Sequence, residues 1–111
     1  MPPVHSKVCP YATIADITRT MRVHAQEDDW DTVLSLAPKY HEAVEALRNL
    51  GQLTVAELEE RRAYMTEILD NDAVVRRLAS PRLDELGMLM TNLQRQRGIL
   101  RTYYSTPQLP T

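Results

Sequence analysis

Residues seven positions apart share one face of an α-helix, and the second half of this chain keeps such a register without a break. In order, the register positions are Leu58, Met65, Asp72, Ala79, Leu86, Leu93 and Leu100. A second apolar line beside it holds Ile68, Val75 and Leu89. This period is typical of an amphipathic helix, and no segment alternates as a half-buried strand does. We therefore predict one long helix over about 54–97, roughly 60 Å or more in length at 1.5 Å per residue.

Two shorter helices are predicted before the long one, over about 11–27 and 30–50. The acidic run EDDWD separates them and supplies an aspartate as N-cap of the second helix. Gly51 suits the left-handed position that follows a helix. Thr54 and Glu57 are spaced as a capping box, which predicts the start of the third helix.

The predicted fold is all-α: an antiparallel helical bundle with two shorter helices packed on one long third helix, and a short C-terminal helical tail over 99–104. With 111 residues the chain is expected to form a single domain, over 11–104. The proline-containing ends, 1–10 and 105–111, are predicted to be a flexible N-terminal tail and a disordered C-terminal tail.

Two prolines fall inside predicted helices. Pro38 is expected to bend the second helix near Leu34. Ser80 and Pro81 could form the N-cap and first position of a new helix. Because the seven-residue register passes Pro81 unbroken, we instead expect a bent but continuous third helix.

The composition narrows the classes of function. The net charge of −2 gives no general attraction to nucleic acid or to anionic membranes. No segment approaches the roughly 18 apolar residues that a membrane span requires, and the first residues do not resemble a secretion signal. We therefore expect a cytoplasmic protein that does not bind nucleic acid directly and does not insert into a membrane.

Asp70 and Asp72 form the D-x-D pattern that opens some calcium loops. Such a loop continues with an oxygen ligand, a glycine and a glutamate, where this chain has Val74, Val75 and Pro81. The pattern therefore does not predict a calcium site. Asp72 falls on the core face of the long helix, where a carboxylate has to be hydrogen-bonded or paired with an arginine, so we favour a structural role for it.

No other residues form a recognisable chemical site. The three histidines are scattered, and the only cysteine, Cys9, has no histidine or acid as an obvious partner. An all-helical enzyme of the chorismate mutase type is one alternative, because LDELGMLMTNLQRQR resembles the long helix of those enzymes. That catalysis needs several cations inside the bundle, usually including a lysine, and only Lys7 and Lys39 are present. We predict no metal, no cofactor and no enzymatic activity.

The predicted helices carry more apolar surface than three of them can bury, with Tyr64 and Leu36 among the surplus. A fourth helix would bury that surface, and so would a homodimer, as in a dimeric coiled-coil adaptor. The other interpretation is an open groove for an amphipathic helix of a partner. Its adaptable lining would include Met65, Met88 and Met90.

The chain contains three segments whose order and spacing resemble those of a known family over about residues 11–104: EDDWDTVLSLAPKYHEAVEAL, ILDNDAVVRRL and RLDEL. They resemble the flagellar export chaperone FliT family, in which a tryptophan follows an acidic turn and opens the second helix. Leu69, Asp70 and Asn71 occupy the leucine–aspartate–asparagine element of that family's long helix.

The resemblance implies a cytoplasmic chaperone for the filament-cap protein FliD. Such a chaperone binds the C-terminal helical segment of FliD in an apolar groove between its second and third helices. It thereby prevents premature assembly and targets the cargo to the export ATPase complex of the flagellar type III export gate. In enteric relatives it also sequesters the flagellar master transcription regulator, a role left open for this chain.

The family also masks its groove with a C-terminal helix until cargo arrives. Here the residues after Gly98 allow a masking helix of two or three turns at most, over Ile99 to Tyr104, so autoinhibition is not carried over. The residues predicted to line the partner groove are Leu36, Tyr40, Leu47, Tyr64, Ile68 and Val75.

Overall fold

Four α-helices make up the part of the chain that the structure, a computed structural model, describes, residues 8–105. They are α1 (Cys9–Gln26), α2 (Trp30–Ala46), α3 (Val55–Ala79) and α4 (Leu83–Ser105), with single 3-10 turns at Leu47–Asn49 and Ser80–Arg82. This part of the chain contains no strand, and the prediction of an all-α bundle is confirmed. Of the tails expected over 1–10 and 105–111, residues 1–7 and 106–111 lie outside the described residues, whereas Cys9 and Pro10 belong to α1 and Ser105 ends α4.

Local sequence signals place the helix ends. The Asp29 side chain accepts a hydrogen bond from the Thr32 amide at 3.3 Å and so caps α2. The capping box before α3 is complete, with the Thr54 amide donating to Glu57 at 2.9 Å and the Glu57 amide donating to Thr54 at 3.1 Å. Gly51 has a φ of 71°, the left-handed conformation predicted for it.

The predicted long helix takes a different shape from the one expected. Helical backbone does run from residue 55 to residue 105, but its second half folds back along its first half. The Arg61 guanidinium, near the start of α3, donates to the carbonyl of Tyr103, near the end of α4, at 3.4 Å. The longest dimension of the molecule is 47 Å, whereas a straight helix over that run would measure about 75 Å. The expected long run of helix is therefore confirmed, but it is bent back on itself rather than extended over 60 Å or more, and the predicted tail over 99–104 is the end of α4.

The reversal occurs where Ser80 and Pro81 interrupt the α-helical hydrogen bonds. Pro81 lies in the 3-10 turn, where its missing N–H and its ring prevent a regular α-helical turn. A further departure follows at Leu86, whose backbone is not helical (φ −116°, ψ 17°). The seven-residue register survives this turn because α3 and α4 both direct their register positions into the same core. Periodicity alone could not distinguish one long helix from an antiparallel pair.

The bundle consists of two helical hairpins, α1–α2 and α3–α4, lying side by side in the same direction. Arg19 and Arg22 of α1 pair with Glu67 and Asp70 of α3, a constant offset that makes these two helices parallel. The side chains of His41 in α2 and Gln96 in α4 are also in contact, which places α4 beside α2. As a result α2 and α3 are covered by α1 from one side and by α4 from the other.

The reversal can be tested by a distance measurement. Spin labels on the exposed positions Arg62 and Arg101, introduced as cysteines in a Cys9→Ser background, would be about 58 Å apart in a straight helix. In the antiparallel pair we expect a distance below about 30 Å, because packed helix axes are only 8–10 Å apart. Double electron–electron resonance separates these outcomes, and a distance near the longer value would refute the hairpin.

Candidate functional site

The groove between α2 and α3, which the family resemblance marks as the partner site, is filled by α4. The core-facing side chains of α4 are Leu86, Leu89, Leu93, Gln96 and Leu100. Since this helix belongs to the same chain, we call the site the covered groove. The expectation that at most Ile99 to Tyr104 could mask it was wrong, because the turn at Pro81 leaves 23 residues to form α4.

The six predicted partner-binding residues all belong to one apolar cluster. Their accessibility differs. Tyr40, Leu47, Ile68 and Val75 are buried in the core, whereas Leu36 and Tyr64 are packed against it and remain partly exposed. With α4 in place, only these last two can be reached from solvent without a rearrangement.

A buried carboxylate links α2 and α3 within the covered groove. The Tyr40 hydroxyl donates to Asp72 at 3.2 Å, and the Arg76 guanidinium donates to the other oxygen of Asp72 at 2.6 Å. This arrangement confirms the expectation that Asp72 is hydrogen-bonded and paired with an arginine. Burial raises the pKa of Asp72, with Arg76 opposing that shift, and burial together with the Asp72 charge raises the pKa of Tyr40 well above its usual value.

Two polar side chains that continue the second apolar line were not predicted as part of the site. Arg61 is buried between the rings of Tyr11 and Tyr104, whose centroids lie 5.9 and 5.8 Å from its guanidinium carbon. It therefore joins the end of α4 to α1 and α3. Gln96 is buried on the core face of α4, and its amide nitrogen lies 2.8 Å from Nδ1 of His41.

The sequence contained a signal for both residues. Arg61 lies seven positions before Ile68, and Gln96 lies seven positions after Leu89, so each continues the second apolar line. Polar residues on such a line are candidates for buried hydrogen bonds. Within residues 8–105 the Oε1 atom of Gln96 and the Nε atom of Arg61 have no hydrogen-bond partner. An unsatisfied buried polar group costs about 1–3 kcal/mol, so α4 is held less tightly than its apolar residues alone would hold it.

Other kinds of site find little support in the described part of the chain. No group of three or more His, Cys, Asp or Glu side chains in residues 8–105 is arranged to hold a metal ion. None of the helices in this range combines the length and the apolar character that crossing a membrane requires. The feature that stands out is the covered groove.

The fold and this groove define a small all-α bundle in which one helix of the chain lies where a partner helix could lie. The family model described as "Flagellar protein FliT" matches residues 9–105. This chain belongs to the FliT family of flagellar proteins.

Curated relatives give the same result. The flagellar protein FliT of Yersinia enterocolitica (serotype O:8 / biotype 1B) is 31% identical over 100 residues, covering 87% of this chain and 83% of the relative. The protein of the same name in Yersinia pestis (strain Pestoides F) is 32% identical with the same coverage. The one in Yersinia pseudotuberculosis (serotype O:3) is 30% identical over 103 residues, again covering 87% and 83% of the two chains. No solved structure matches the chain at a significant level.

The buried Asp72 predicts a pH dependence of stability. Because burial raises its pKa in the folded state, the proton on Asp72 stabilises the fold fully below the unfolded-state value near 3.8, and that contribution is lost as the pH rises through the raised pKa. An Asp72→Asn variant keeps an acceptor oxygen for Tyr40 and does not titrate. We therefore expect its free energy of unfolding, relative to the wild type, to increase from about pH 3.5 to about pH 7.

Urea denaturation followed by circular dichroism at several pH values measures this difference. Asp70→Asn is the matched control, because that neighbouring side chain is 71% exposed. A relative free energy for Asp72→Asn that stayed level or fell with rising pH would contradict the expected effect of burial on Asp72.

Proposed function

We propose that this chain is a cytoplasmic flagellar export chaperone whose covered groove binds the C-terminal helical segment of the filament-cap protein. The observation that carries the proposal is the position of α4, an amphipathic helix seated between α2 and α3. A guest helix with a similar apolar face would make the same kind of contacts. Family membership supports the flagellar part of the proposal.

Binding requires α4 to leave the groove, and several features of α4 favour release. It is joined to α3 by the 3-10 turn at Ser80–Arg82 and departs from helical geometry at Leu86. It contains Gly87 and Gly98, each of which costs about 1 kcal/mol in a helix relative to alanine. Its buried Gln96 lacks one hydrogen bond. A guest helix without these defects would compete effectively.

Competition between α4 and the cargo gives a simple mechanism. Without cargo, α4 keeps the apolar walls of the groove from contact with water or with other proteins. When cargo binds, its helix is buried instead, and the cap protein is prevented from assembling early. The six partner-binding residues stay our proposed set, with Leu36 and Tyr64 as first contacts and Tyr40, Leu47, Ile68 and Val75 reached after α4 moves.

The remaining steps follow from the family resemblance. We propose that the loaded chaperone delivers its cargo to the export ATPase complex. The displaced α4 would then distinguish the loaded chaperone from the empty one. The flagellar master transcription regulator is a further partner that the same exposed surface could bind. No step in this mechanism needs a catalytic group or a cofactor.

The competition predicts that weakening α4 strengthens cargo binding. Leu93 is 1% exposed and belongs to α4 alone, so Leu93→Ala removes contacts that hold α4 in the groove without altering α2 or α3. We expect it to cost about 2–5 kcal/mol in stability and yet to raise the affinity for a cap-protein C-terminal peptide about tenfold or more. Isothermal titration calorimetry measures the affinity, and circular dichroism confirms folding.

Two further variants sharpen this test. Leu83→Ala is the matched control, because Leu83 is 52% exposed and should leave both quantities nearly unchanged. Gly98→Ala fits without a clash and strengthens α4 by about 1 kcal/mol, so it should lower the peptide affinity about fivefold. If instead the destabilised Leu93→Ala bound the peptide more weakly and the stabilised Gly98→Ala bound it more tightly, α4 and the cargo would not compete.

A charge introduced into the wall of the covered groove is expected to weaken cargo binding. Tyr64 is only partly buried, so Tyr64→Glu should leave the fold intact while placing a charge beside the bound apolar helix. We expect the affinity for the same peptide to fall about tenfold or more. Val23→Glu, an exposed apolar position on α1, is the control. Undiminished binding by folded Tyr64→Glu would remove this residue from the proposed site.

A further inference from the structure

The opposite side of α4 forms a second groove, this time with α2. Its lining includes Leu34, Ala37 and Pro38 of α2 and Met88, Asn92 and Arg95 of α4, around a cleft of about 380 Å³. We call it the outer groove. It is open to solvent and continues at Leu34 into a hollow beside Asp31 and Glu85.

The apolar side chains of the outer groove are unusually accessible. Met88 is 83% exposed and Leu34 is 42% exposed. A single exposed apolar side chain needs no explanation, but these two meet across one cleft together with Ala37 and Pro38. Methionine adapts its shape to different guests, so this strip is suited to receive apolar anchors.

The two ends of the outer groove carry opposite charges. At the end where α2 and α4 begin, the hollow is lined by four acidic side chains and by Arg82, which pairs with two of them, Asp28 at 2.6 Å and Glu85 at 3.0 Å, so this end stays acidic through Asp29 and Asp31; Arg95 lies at the other end. Ten residues of helix separate Asp31 from His41 and Glu85 from Arg95, which corresponds to about 15 Å. The groove thus offers an apolar centre about three helical turns long, acidic at one end and basic at the other.

We propose that the outer groove docks an amphipathic helix of a partner protein. The helix would be about three turns long, with two apolar anchors on one face, a basic residue near Asp31, and an acidic residue near Arg95. A single helix presents a ridge that fits a groove between two parallel helices. A second copy of this chain would instead bring the same concave strip, which would fill the cleft poorly.

The outer groove is separate from the covered groove. Met88 and Arg95 are exposed on the solvent side of α4, whereas Leu93 and Leu100 are buried in the core; Leu89, itself buried, lies between the two and also lines the outer groove. The two proposals can therefore fail independently. Because α4 forms one wall, the outer groove exists only while α4 is docked, and its partner binds the closed form of the protein.

Three designed helical peptides of equal length provide the probes. Each carries two leucines seven residues apart; one has arginine at one end and glutamate at the other, the second has glutamine at both ends, and the third has arginine at both ends. With the full chain in low salt, we expect the first peptide to bind about three- to tenfold more tightly than the glutamine peptide. Fluorescence anisotropy measures the affinities, and the advantage should disappear at high salt.

Variants of the chain locate the site. Met88→Glu should weaken all three peptides about tenfold or more without unfolding the protein, because that side chain is exposed. Arg95→Glu makes both ends acidic, so the peptide with two arginines should become the tightest binder. Val23→Glu, on α1 away from the cleft, should change nothing.

Three results would overturn the proposal. One is equal binding of the charged and glutamine peptides, and another is unchanged binding by Met88→Glu. The third is a dimer, detected by analytical ultracentrifugation, that Met88→Glu dissociates, because a second copy of the chain would then occupy the groove.

Discussion

α1 covers α2 and α3 from one side only, and the apolar faces that it leaves must be covered by something else. In this chain the cover is α4, made available by the reversal at Ser80–Arg82. Ile68 and Val75 are sealed because α4 brings Leu89 and Leu93 to the same core. The extent of the molecule, the burial of the proposed partner residues and the existence of the outer groove all depend on this one packing interaction.

Polar pairs inside the bundle fix how the helices align. Asp72 joins α3 to α2 through Tyr40, and Asn71 joins α3 to α1 by donating to the Thr18 hydroxyl at 3.4 Å. On α4 the corresponding polar residue is Gln96. Buried polar contacts add little net stability, since desolvation offsets much of their energy. Their value here is positional, because sliding one helix by a turn would leave each of these groups unpaired.

The parts of the fold that local chemistry decides could be predicted from the sequence. The Thr54–Glu57 capping box and the left-handed Gly51 depend on neighbouring residues only. The reversal at Pro81 could not be predicted from the same register, because an antiparallel pair and a continuous helix place identical residues in the core. The Ser80–Pro81 pair gave no decisive signal either, since it suits both a bend within one helix and the start of a new one.

The candidate site was harder to predict than the fold for a related reason. The wall of an apolar groove and the interior of a core have the same composition, so Tyr40 and Ile68 satisfied the criteria for both. Only the position of α4 distinguishes them, and that position follows from the unpredicted turn. Leu36 and Tyr64 remain accessible because they lie at the margin of the cluster.

On the proposal that cargo replaces α4, the stability of the closed state has to lie within a narrow range. If α4 were favoured in the groove by about 3 kcal/mol, the apparent affinity for cargo would be about 150-fold weaker than that of an open groove. If it were not favoured at all, the apolar walls would be exposed in the absence of cargo. Gly87, Gly98 and the unsatisfied Gln96 each reduce the preference for closure. A helix without these residues would protect the groove better, and it would also compete more strongly with the cargo.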